Sequence, residues 1–262
     1  DMLAQDPDVT KQVVIAAIAA ATVVGYLELP SMWVNNYGGS GGGKTAGTLL
    51  GTSLFGHPHK LMYGDATVNA MFAVAAKHHS MPLVFDDAPE RLVRQIGIDV
   101  SRGKNRLRMA ADTTVTRPTE YFTVMVTSSN AAMMDGLDAT ETDFAASQRL
   151  LEFEVGDITD EISRKYRTCV TQLIQKHHGH GGPKLVRHLM RQGRENTRKR
   201  YNDIVDSIPS EPAQRLLVQT LAVILLSCEV LKQADVLTLD YDAVSTFLRK
   251  RLVELGDAAQ EL

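Results

Sequence analysis

A glycine-rich segment between a strand-like run and a helix-like run constrains the fold of this 262-residue chain more than any other feature. The run before it, 31–37, has the composition of a strand, and the run after it, 44–55, that of a helix. The segment fits the pattern G-x-x-x-x-G-K-[ST] in full and reads Gly38-Gly39-Ser40-Gly41-Gly42-Gly43-Lys44-Thr45. A strand, a glycine-rich turn and a helix in this order are typical of a loop that cradles phosphate groups.

Each part of this segment has a chemical role in such a loop. The glycines let successive N–H groups turn inward, and the helix that begins near Lys44 adds the positive end of its dipole. We expect Lys44 to reach the β- and γ-phosphates of ATP and Thr45 to bind Mg²⁺. The alternative is a flexible glycine-rich loop that matches by chance, and the flanking strand and helix disfavour it.

The composition excludes several other classes of protein. Hydrophobic residues make up 44% and charged residues 23%, which excludes a disordered or low-complexity chain. The net charge of −3 excludes a uniformly basic surface but leaves room for local basic patches. The apolar run 13–24 is shorter than the roughly 20 residues that span a bilayer, so we predict a buried helix and no membrane association. Two distant cysteines, Cys169 and Cys228, suit a reducing cytosol.

Short apolar segments alternate with helical ones over the first part of the chain, which predicts a mostly parallel sheet flanked by helices. The predicted strands are 31–37, 82–85, 121–126 and 149–155, with helices at 7–26, 44–55, 66–79 and 90–98 and a β-hairpin within 101–118. Later helices are predicted near 159–178, 183–206, 211–233 and 241–255. We therefore expect an α/β P-loop NTPase fold, with a core over 1–156 and a C-terminal helical lid subdomain over 157–262.

Two aspartates follow the buried apolar run 81–85, about 40 residues after the glycine-rich segment. Ligands of α/β sheets bind at the C-terminal ends of the strands, where Asp86 and Asp87 would emerge. Asp86 would hold Mg²⁺, and Asp87 would orient or deprotonate the attacking water. A strand that simply ends in a polar turn is the alternative.

A third apolar run, 123–126, ends in the polar residues 127–130. If this strand lies beside the acidic one, Asn130 would position the attacking water near the γ-phosphate, with Ser128 as the alternative residue. Arg149 is the only basic residue between Asn130 and Glu161. It would open the next strand and reach the γ-phosphate of a neighbouring subunit as an arginine finger. The alternative for Arg149 is a surface salt bridge.

These elements in this order resemble ring-forming P-loop ATPases of the AAA+ type, and the paired aspartates resemble those of superfamily III viral helicases. The chain is more closely similar to the Cch-type replicative helicases of phages and mobile elements, a family long labelled a domain of unknown function. The matching stretches are 1–4 with Asp6-Pro7, 53–56 with Pro58, 66–70, 102–106, 178–183 and the helix that Arg215 begins. The chain departs from the family at Asp86-Asp87, where Asp-Glu is usual, and in the polar turn 127–130. Because aspartate is shorter than glutamate, we expect Asp87 to sit closer to the water or to act through an ordered one.

The resemblance also implies where single-stranded DNA would bind. In superfamily III rings, a hairpin in the position of 101–118 points into the central pore and grips the strand. Lys104 and Arg106 would then contact DNA phosphates, with Arg108 behind them. The alternatives are a solvated basic loop, or an arginine that serves the neighbouring ATP site.

A second basic run lies in the predicted helix 183–206, where arginines recur every three or four residues and would share one face. Its cations are Lys184, Arg187, Arg191, Arg194, Arg198, Lys199 and Arg200. This face would bind either DNA or an acidic neighbour, and the nine acids within 135–161 favour a subunit interface. His177, His178 and His180 lack a nearby cysteine or carboxylate at ligand spacing, so we interpret them as a helix–helix turn rather than a metal site.

Together these features predict a Mg²⁺- and ATP-dependent ring motor: a hexameric DNA helicase of a phage or mobile element in the cytoplasm of a bacterial host. We expect a piece of a longer protein, because the chain opens at Asp1 and ends in a helical pattern without a stop signal. Two alternatives stay open. One is an ATP-switched helicase loader or assembly ATPase without processive unwinding. The other is a DNA-packaging or transposition motor.

Overall fold

The computed structural model describes residues 9–39, 43–64, 67–88, 99–104, 108–109, 115–116, 120–136, 145–156 and 161–261. The helices are α1 (Val9–Leu27), α2 (Lys44–Ser53), α3 (Pro58–Leu61), α4 (Val68–His78), α5 (Glu161–Lys176), α6 (Gly181–Gln192), α7 (Arg194–Asp206), α8 (Arg215–Gln233) and α9 (Tyr241–Glu261). The strands are β1 (Met32–Tyr37), β2 (Met62–Tyr63), β3 (Leu83–Phe85), β4 (Arg108–Met109), β5 (Val115–Thr116), β6 (Val124–Ser129) and β7 (Leu150–Glu154). The predicted helix 90–98 lies outside the described residues.

Five strands form one parallel sheet in the order β2-β3-β6-β1-β7, which confirms the predicted parallel sheet. β1 lies between β6 and β7, with Met32 beside Val124 and Trp33 beside Leu150. The predicted strands are all present, and the two-residue strand β2 was not predicted. Because the strands are parallel, their C-terminal ends share one edge of the sheet, which we call the carboxyl edge, and the opposite edge is the amino edge.

Strand β6 differs from its prediction in position. It begins at Val124 rather than Tyr121 and continues to Ser129, so the polar residues 127–129 belong to the strand and not to a turn after it. Neighbouring strands on both sides bury these side chains, and hydrogen bonds across the sheet satisfy their hydroxyl groups. Only Asn130 of the predicted polar turn stands beyond the strand.

Helix α1 is a core helix that packs against α2 and α8. The segments Val9–Leu27 and Pro212–Gln233 are long and apolar enough to cross a bilayer, but 83% and 72% of their apolar windows are buried inside the fold. The largest cluster of buried apolar side chains joins α1, the sheet and helices α6 to α9. It therefore contains residues from both sides of the division predicted near Gly156, and that division stays a prediction.

The predicted single helix over 183–206 is wrong, because Gly193 separates α6 from α7. Gly193 has φ 85°, a conformation that favours glycine and ends the first helix. The arginines of this region therefore do not share one helical face. Arg194 pairs with Glu28 at 2.9 Å, and Arg200 pairs with Glu229 at 2.9 Å. Part of the basic run is thus neutralised within the chain itself.

Residues 104–120 contain the predicted hairpin. β4 and β5 pair antiparallel, with Arg108 opposite Thr116, and an antiparallel bridge joins Lys104 to Glu120 at the base. The base is fixed to the segment just before β6, because the Tyr121 N–H donates to the Gly103 carbonyl at 2.8 Å. The hairpin therefore leaves the body of the protein at the amino edge, where β6 begins.

Candidate functional site

The glycine-rich loop connects the end of β1 at Tyr37 to the start of α2 at Lys44. Gly38 has φ 148°, and a Cβ at this position would lie 2.6 Å from the Val155 carbonyl oxygen. Gly43 has φ 84° and precedes the first turn of α2. Both positions therefore require glycine, for the close approach at Gly38 and for the left-handed backbone at Gly43. Ser40, Gly41 and Gly42 lie outside the described residues.

Lys44 lies over this loop. Its Nζ donates hydrogen bonds to the carbonyl oxygens of Gly38 and Gly39, the second at 3.0 Å. These bonds hold the ammonium group at the mouth of the loop, where the N–H groups of the first turn of α2 also point. Thr45 is exposed in that first turn. The arrangement is a cradle for an anion, with one fixed positive charge and a helix N-terminus.

Asp86 and Asp87 follow β3 at the carboxyl edge, as predicted. The Asp86 N–H donates to the Tyr63 carbonyl at 2.8 Å, so the short strand β2 fixes the end of β3. The Ser128 hydroxyl donates to Asp86 Oδ1 at 2.5 Å, and it accepts a hydrogen bond from the Asp87 N–H at 3.0 Å. Asp87 has φ 57°, a left-handed conformation that is uncommon for any residue with a side chain.

Asn130 reaches the same aspartates from the end of β6. Its Nδ2 donates to Asp87 Oδ1 at 3.1 Å, and its side chain is exposed to solvent. The two alternatives for the polar residue of this strand therefore both contact the acidic pair: Ser128 contacts Asp86, and Asn130 contacts Asp87. The prediction that this strand lies beside the acidic one is confirmed, because β6 pairs directly with β3.

The loop and the acidic cluster share the carboxyl edge. β6 lies between β1 and β3, so Asn130 stands between the end of β1 and the two aspartates. A carboxylate, a threonine hydroxyl and phosphate oxygens are the hard oxygen ligands that Mg²⁺ prefers. The donor set of Thr45 and Asp86 fits this ion.

Arg149 lies at the amino edge, immediately before β7. The strands of the sheet are up to six residues long, so about 20 Å separate this edge from the phosphate loop of the same chain. Arg149 Nε donates to Ser101 Oγ at 3.1 Å, and its Nη1 donates to the Ala145 carbonyl. Burial, and then the nearby charge of Arg102, lower the pKa of Arg149. With Gln148 and Arg215 it lines a cleft of about 850 Å³.

The predicted DNA contacts lie near the same edge. Lys104 Nζ pairs with Glu120 Oε1 at 2.7 Å, and both side chains are more than half exposed. An exposed ion pair contributes only about 0–1 kcal/mol, so Lys104 is able to exchange this carboxylate for a phosphate. Arg108 is the first residue of β4. Arg106 lies outside the described residues.

A buried polar network next to the site was not predicted. Asn35 of β1 donates from Nδ2 to Glu152 Oε2 at 2.7 Å and to Ser129 Oγ at 2.9 Å. Glu152 is 1% exposed in the middle of β7. The sequence signal for this network is a polar residue inside each of two apolar segments, Asn35 in 31–37 and Glu152 in 150–154. Sheet interiors hold polar groups only where they are paired, so two such residues indicate a buried hydrogen bond.

The described residues thus define an α/β fold like that of P-loop proteins, with a parallel sheet, flanking helices, and a glycine-rich loop at the same edge of the sheet as an acidic cluster. A solved structure described as "SCCmec type IV Cch - active helicase" is similar to 97% of this chain, with a TM-score of 0.79 and 16% sequence identity. That likeness shows that the two share a fold. It covers 49% of the other chain, so this chain spans about half the length of its structural relative.

Sequence comparison adds one family. Residues 1–120 match the family described as Domain of unknown function (DUF927), which is less than half of the chain. No curated protein sequence matches the chain significantly. The expected resemblance to Cch-type helicases is therefore confirmed at the level of the fold.

Proposed function

We propose that the chain is the ATPase part of a DNA helicase of the AAA+ type that acts in phage or mobile-element replication in the cytoplasm of a bacterial host. One observation carries the proposal. The phosphate loop after β1 and the hydrogen-bonded cluster of Asp86, Asp87, Ser128 and Asn130 lie at the same edge of one parallel sheet. In this proposal residues 1–156 form the ATPase core and residues 157–262 the helical lid subdomain.

The roles of the site residues follow from their positions. The loop from Gly38 to Gly43, including Ser40, Gly41 and Gly42, surrounds the phosphates with N–H groups. Lys44 moves from its carbonyl partners to the β- and γ-phosphates. Thr45 and Asp86 would hold Mg²⁺, which supplies positive charge at the phosphate oxygens.

Asp87 and Asn130 hold the water that attacks the γ-phosphate. Asp87 accepts a proton from this water or orients it, and Asn130 holds Asp87 through its Nδ2 group. Asp86 accepts a hydrogen bond from Ser128 and Asp87 accepts one from Asn130, so the two carboxylates have separate partners and separate tasks.

Arg149 serves the ATP site of the next subunit in a hexameric ring. Its distance from the phosphate loop of its own chain supports this role, as does the open cleft that it lines. In a head-to-tail ring two different surfaces of the subunit meet, and this role requires the surface around the amino edge to face the carboxyl edge of the neighbour. The guanidinium then stabilises the charge of the transition state across the interface.

Single-stranded DNA binds the hairpin through Lys104 and Arg106, with Arg108 behind them. The segment before the hairpin contains Ser101, the hydrogen-bond partner of Arg149. A movement of Arg149 on hydrolysis would therefore reach the base of the hairpin through one contact. This contact supports translocation driven by ATP.

The test is the ATPase rate with and without single-stranded DNA. It compares the wild-type protein with Lys44→Ala and with the double variant Lys104→Ala/Arg106→Ala. We expect single strands to stimulate hydrolysis and Lys44→Ala to abolish it. The hairpin variant should keep its basal rate and lose the stimulation. Lys232→Ala, an exposed lysine on α8, is the matched control for loss of a surface cation.

Other outcomes select the alternatives. Hydrolysis that depends on Lys44 but ignores nucleic acid at low salt would contradict the helicase and favour the ATP-switched loader or assembly ATPase. Stimulation by double-stranded DNA alone would favour a packaging or transposition motor. Hydrolysis that persists in Lys44→Ala would contradict the ATPase site itself.

A further inference from the structure

A row of buried polar side chains crosses the sheet two residues before β1 ends. Thr127, Asn35 and Glu152 lie side by side on β6, β1 and β7. The Thr127 hydroxyl donates to Asn35 Oδ1 at 2.9 Å, and Asn35 Nδ2 donates to Glu152 Oε2 at 2.7 Å. All three are at most 1% exposed. Glu152 is therefore a carboxylate inside the sheet, with no role in the chemistry proposed above.

Glu152 also holds the chain that follows Asn130. Its Oε2 accepts a hydrogen bond from the Met133 N–H at 2.6 Å, and its Oε1 accepts one from the Met134 N–H at 3.2 Å. These N–H groups open the short 3-10 helix Met134–Gly136. The carboxylate thus fixes the segment only three residues beyond Asn130.

The other side of Asn130 is fixed by the same network. Asn35 Nδ2 donates to Ser129 Oγ at 2.9 Å, and Ser129 Oγ donates to the Ala131 carbonyl at 2.7 Å. Asn130 therefore lies between two anchored residues, Ser129 and Met133. Its own side chain points to Asp87, the residue assigned to the attacking water.

A carboxylate at position 152 carries a cost that its neighbours in β7 do not. Leu150, Leu151 and Phe153 of the same strand are buried and apolar, and an apolar residue at position 152 would avoid the cost of burying a charge. Burial raises the pKa of Glu152, and the hydrogen bonds from Met133, Asn35 and Met134 oppose that shift. Three donors are directed at the carboxylate, and a fully satisfied network of this kind holds its members in one geometry.

We propose that Glu152 is a positioning residue for ATP hydrolysis, whose carboxylate holds Asn130 in place against Asp87. The inference rests on the proposed function and concerns the same site. It predicts that Glu152 acts on the chemical step through Asn130 and has no effect on nucleotide binding.

The test is Glu152→Gln, which keeps the shape of the side chain but turns one acceptor oxygen into an NH₂ group. At least one of the three donors then faces another donor. We expect kcat to fall about 100-fold while KM changes less than about threefold, because a small misplacement of a catalytic group costs this much in rate. Phe153→Leu is the matched control: it also disturbs β7, on the face that packs against Phe247, and should leave kcat unchanged.

A double-mutant cycle separates positioning from general damage. If Glu152 acts through Asn130, adding Glu152→Gln to Asn130→Ala should lower kcat by less than about twofold further. Full additivity of the two losses would overturn the proposal. Trp33, the only tryptophan, is buried and donates to Thr127 Oγ1 at 2.9 Å, so its fluorescence reports whether the row is intact in each variant.

Two further outcomes are distinguishable. If Glu152→Gln does not fold, Ser129→Ala removes a single hydroxyl from the same network, and its effect must likewise vanish in the Asn130→Ala background. If the wild-type protein shows no hydrolysis that depends on Lys44, the proposed function fails and this inference fails with it. If that hydrolysis is present but Glu152→Gln leaves kcat unchanged, only the inference fails.

Discussion

Asn130 Nδ2 donates a hydrogen bond to Asp87 Oδ1 at 3.1 Å and so joins the residue after β6 to the end of β3. The two residues are 43 positions apart in the sequence. They meet because β6 inserts between β1 and β3, which places the polar end of one strand beside the acidic end of another. In the proposed function, this contact assigns Asn130 to the attacking water and leaves the nucleotide to the glycine-rich loop.

Asn130→Ala tests that division. We expect kcat for ATP hydrolysis to fall about 100-fold while the Kd for ATP changes less than about threefold, since the Asn130 amide donates to Asp87, the residue assigned to the water. Steady-state hydrolysis and fluorescent-nucleotide binding measure the two quantities. Asn202→Ala, at an exposed position on α7, is the control. A loss of binding as large as the loss of rate would place Asn130 on the nucleotide instead.

Gly38→Ala tests the backbone of the phosphate loop. The added Cβ would lie 2.6 Å from the Val155 carbonyl oxygen, on a backbone with φ 148°. We expect the free energy of unfolding to fall by about 1–3 kcal/mol and ATP binding to be lost, because the loop must shift to relieve the clash. Thermal unfolding and nucleotide titration measure both effects. Gly156→Ala is the control, because a Cβ there meets nothing within 4 Å and should change neither.

The sequence predicted the elements better than their pairing. Periodicity and the glycine-rich motif were enough to predict the parallel sheet, the glycine-rich turn between β1 and α2, and the strand that ends at the two aspartates. Strand β2 has only two residues, too few to show a pattern in the sequence. The polar residues at the end of β6 have the composition of a turn, and they form a strand because the neighbouring strands on both sides bury them. The prediction of one helix over 183–206 includes Gly193, but the φ of 85° at Gly193 ends a helix there.

The network around Glu152 was missed for a related reason. Its partners Asn35 and Met133 come from β1 and from the segment after β6, and long-range pairing of this kind is not visible in a local pattern. What the sequence did contain was an acidic residue between the apolar residues Leu151 and Phe153 of β7, with the period of two that places it on the face of Leu150. A charged residue enclosed by apolar neighbours within a strand is the signal of a paired buried carboxylate.

Subunit mixing tests the assignment of Arg149 to the neighbouring ATP site. Lys44→Ala and Arg149→Ala should each lower hydrolysis about 1000-fold alone, the first by loss of phosphate contacts and the second by loss of the arginine finger. In an equal mixture, about a quarter of the interfaces in a head-to-tail ring combine an intact loop with an intact Arg149. We therefore expect measurable activity to return on mixing. No recovery, with mixed rings shown to form, would assign Arg149 to a structural role at Ser101.

Glu120→Gln tests the hairpin. Glu120 pairs with Lys104 at 2.7 Å and competes with DNA phosphates for the same ammonium group. Because an exposed pair contributes at most about 1 kcal/mol, removal of the carboxylate should tighten single-strand binding by up to about fivefold. Lys104→Ala should weaken binding and lower the slope of log K against log salt concentration by about 0.7. Fluorescence anisotropy of a labelled oligonucleotide at several salt concentrations measures both. Asp257→Asn, at an exposed position on α9, makes the same change of charge away from the hairpin and from the basic run of α6 and α7. If it tightens binding as much as Glu120→Gln, the effect is one of net charge, and Lys104 is not a contact to DNA.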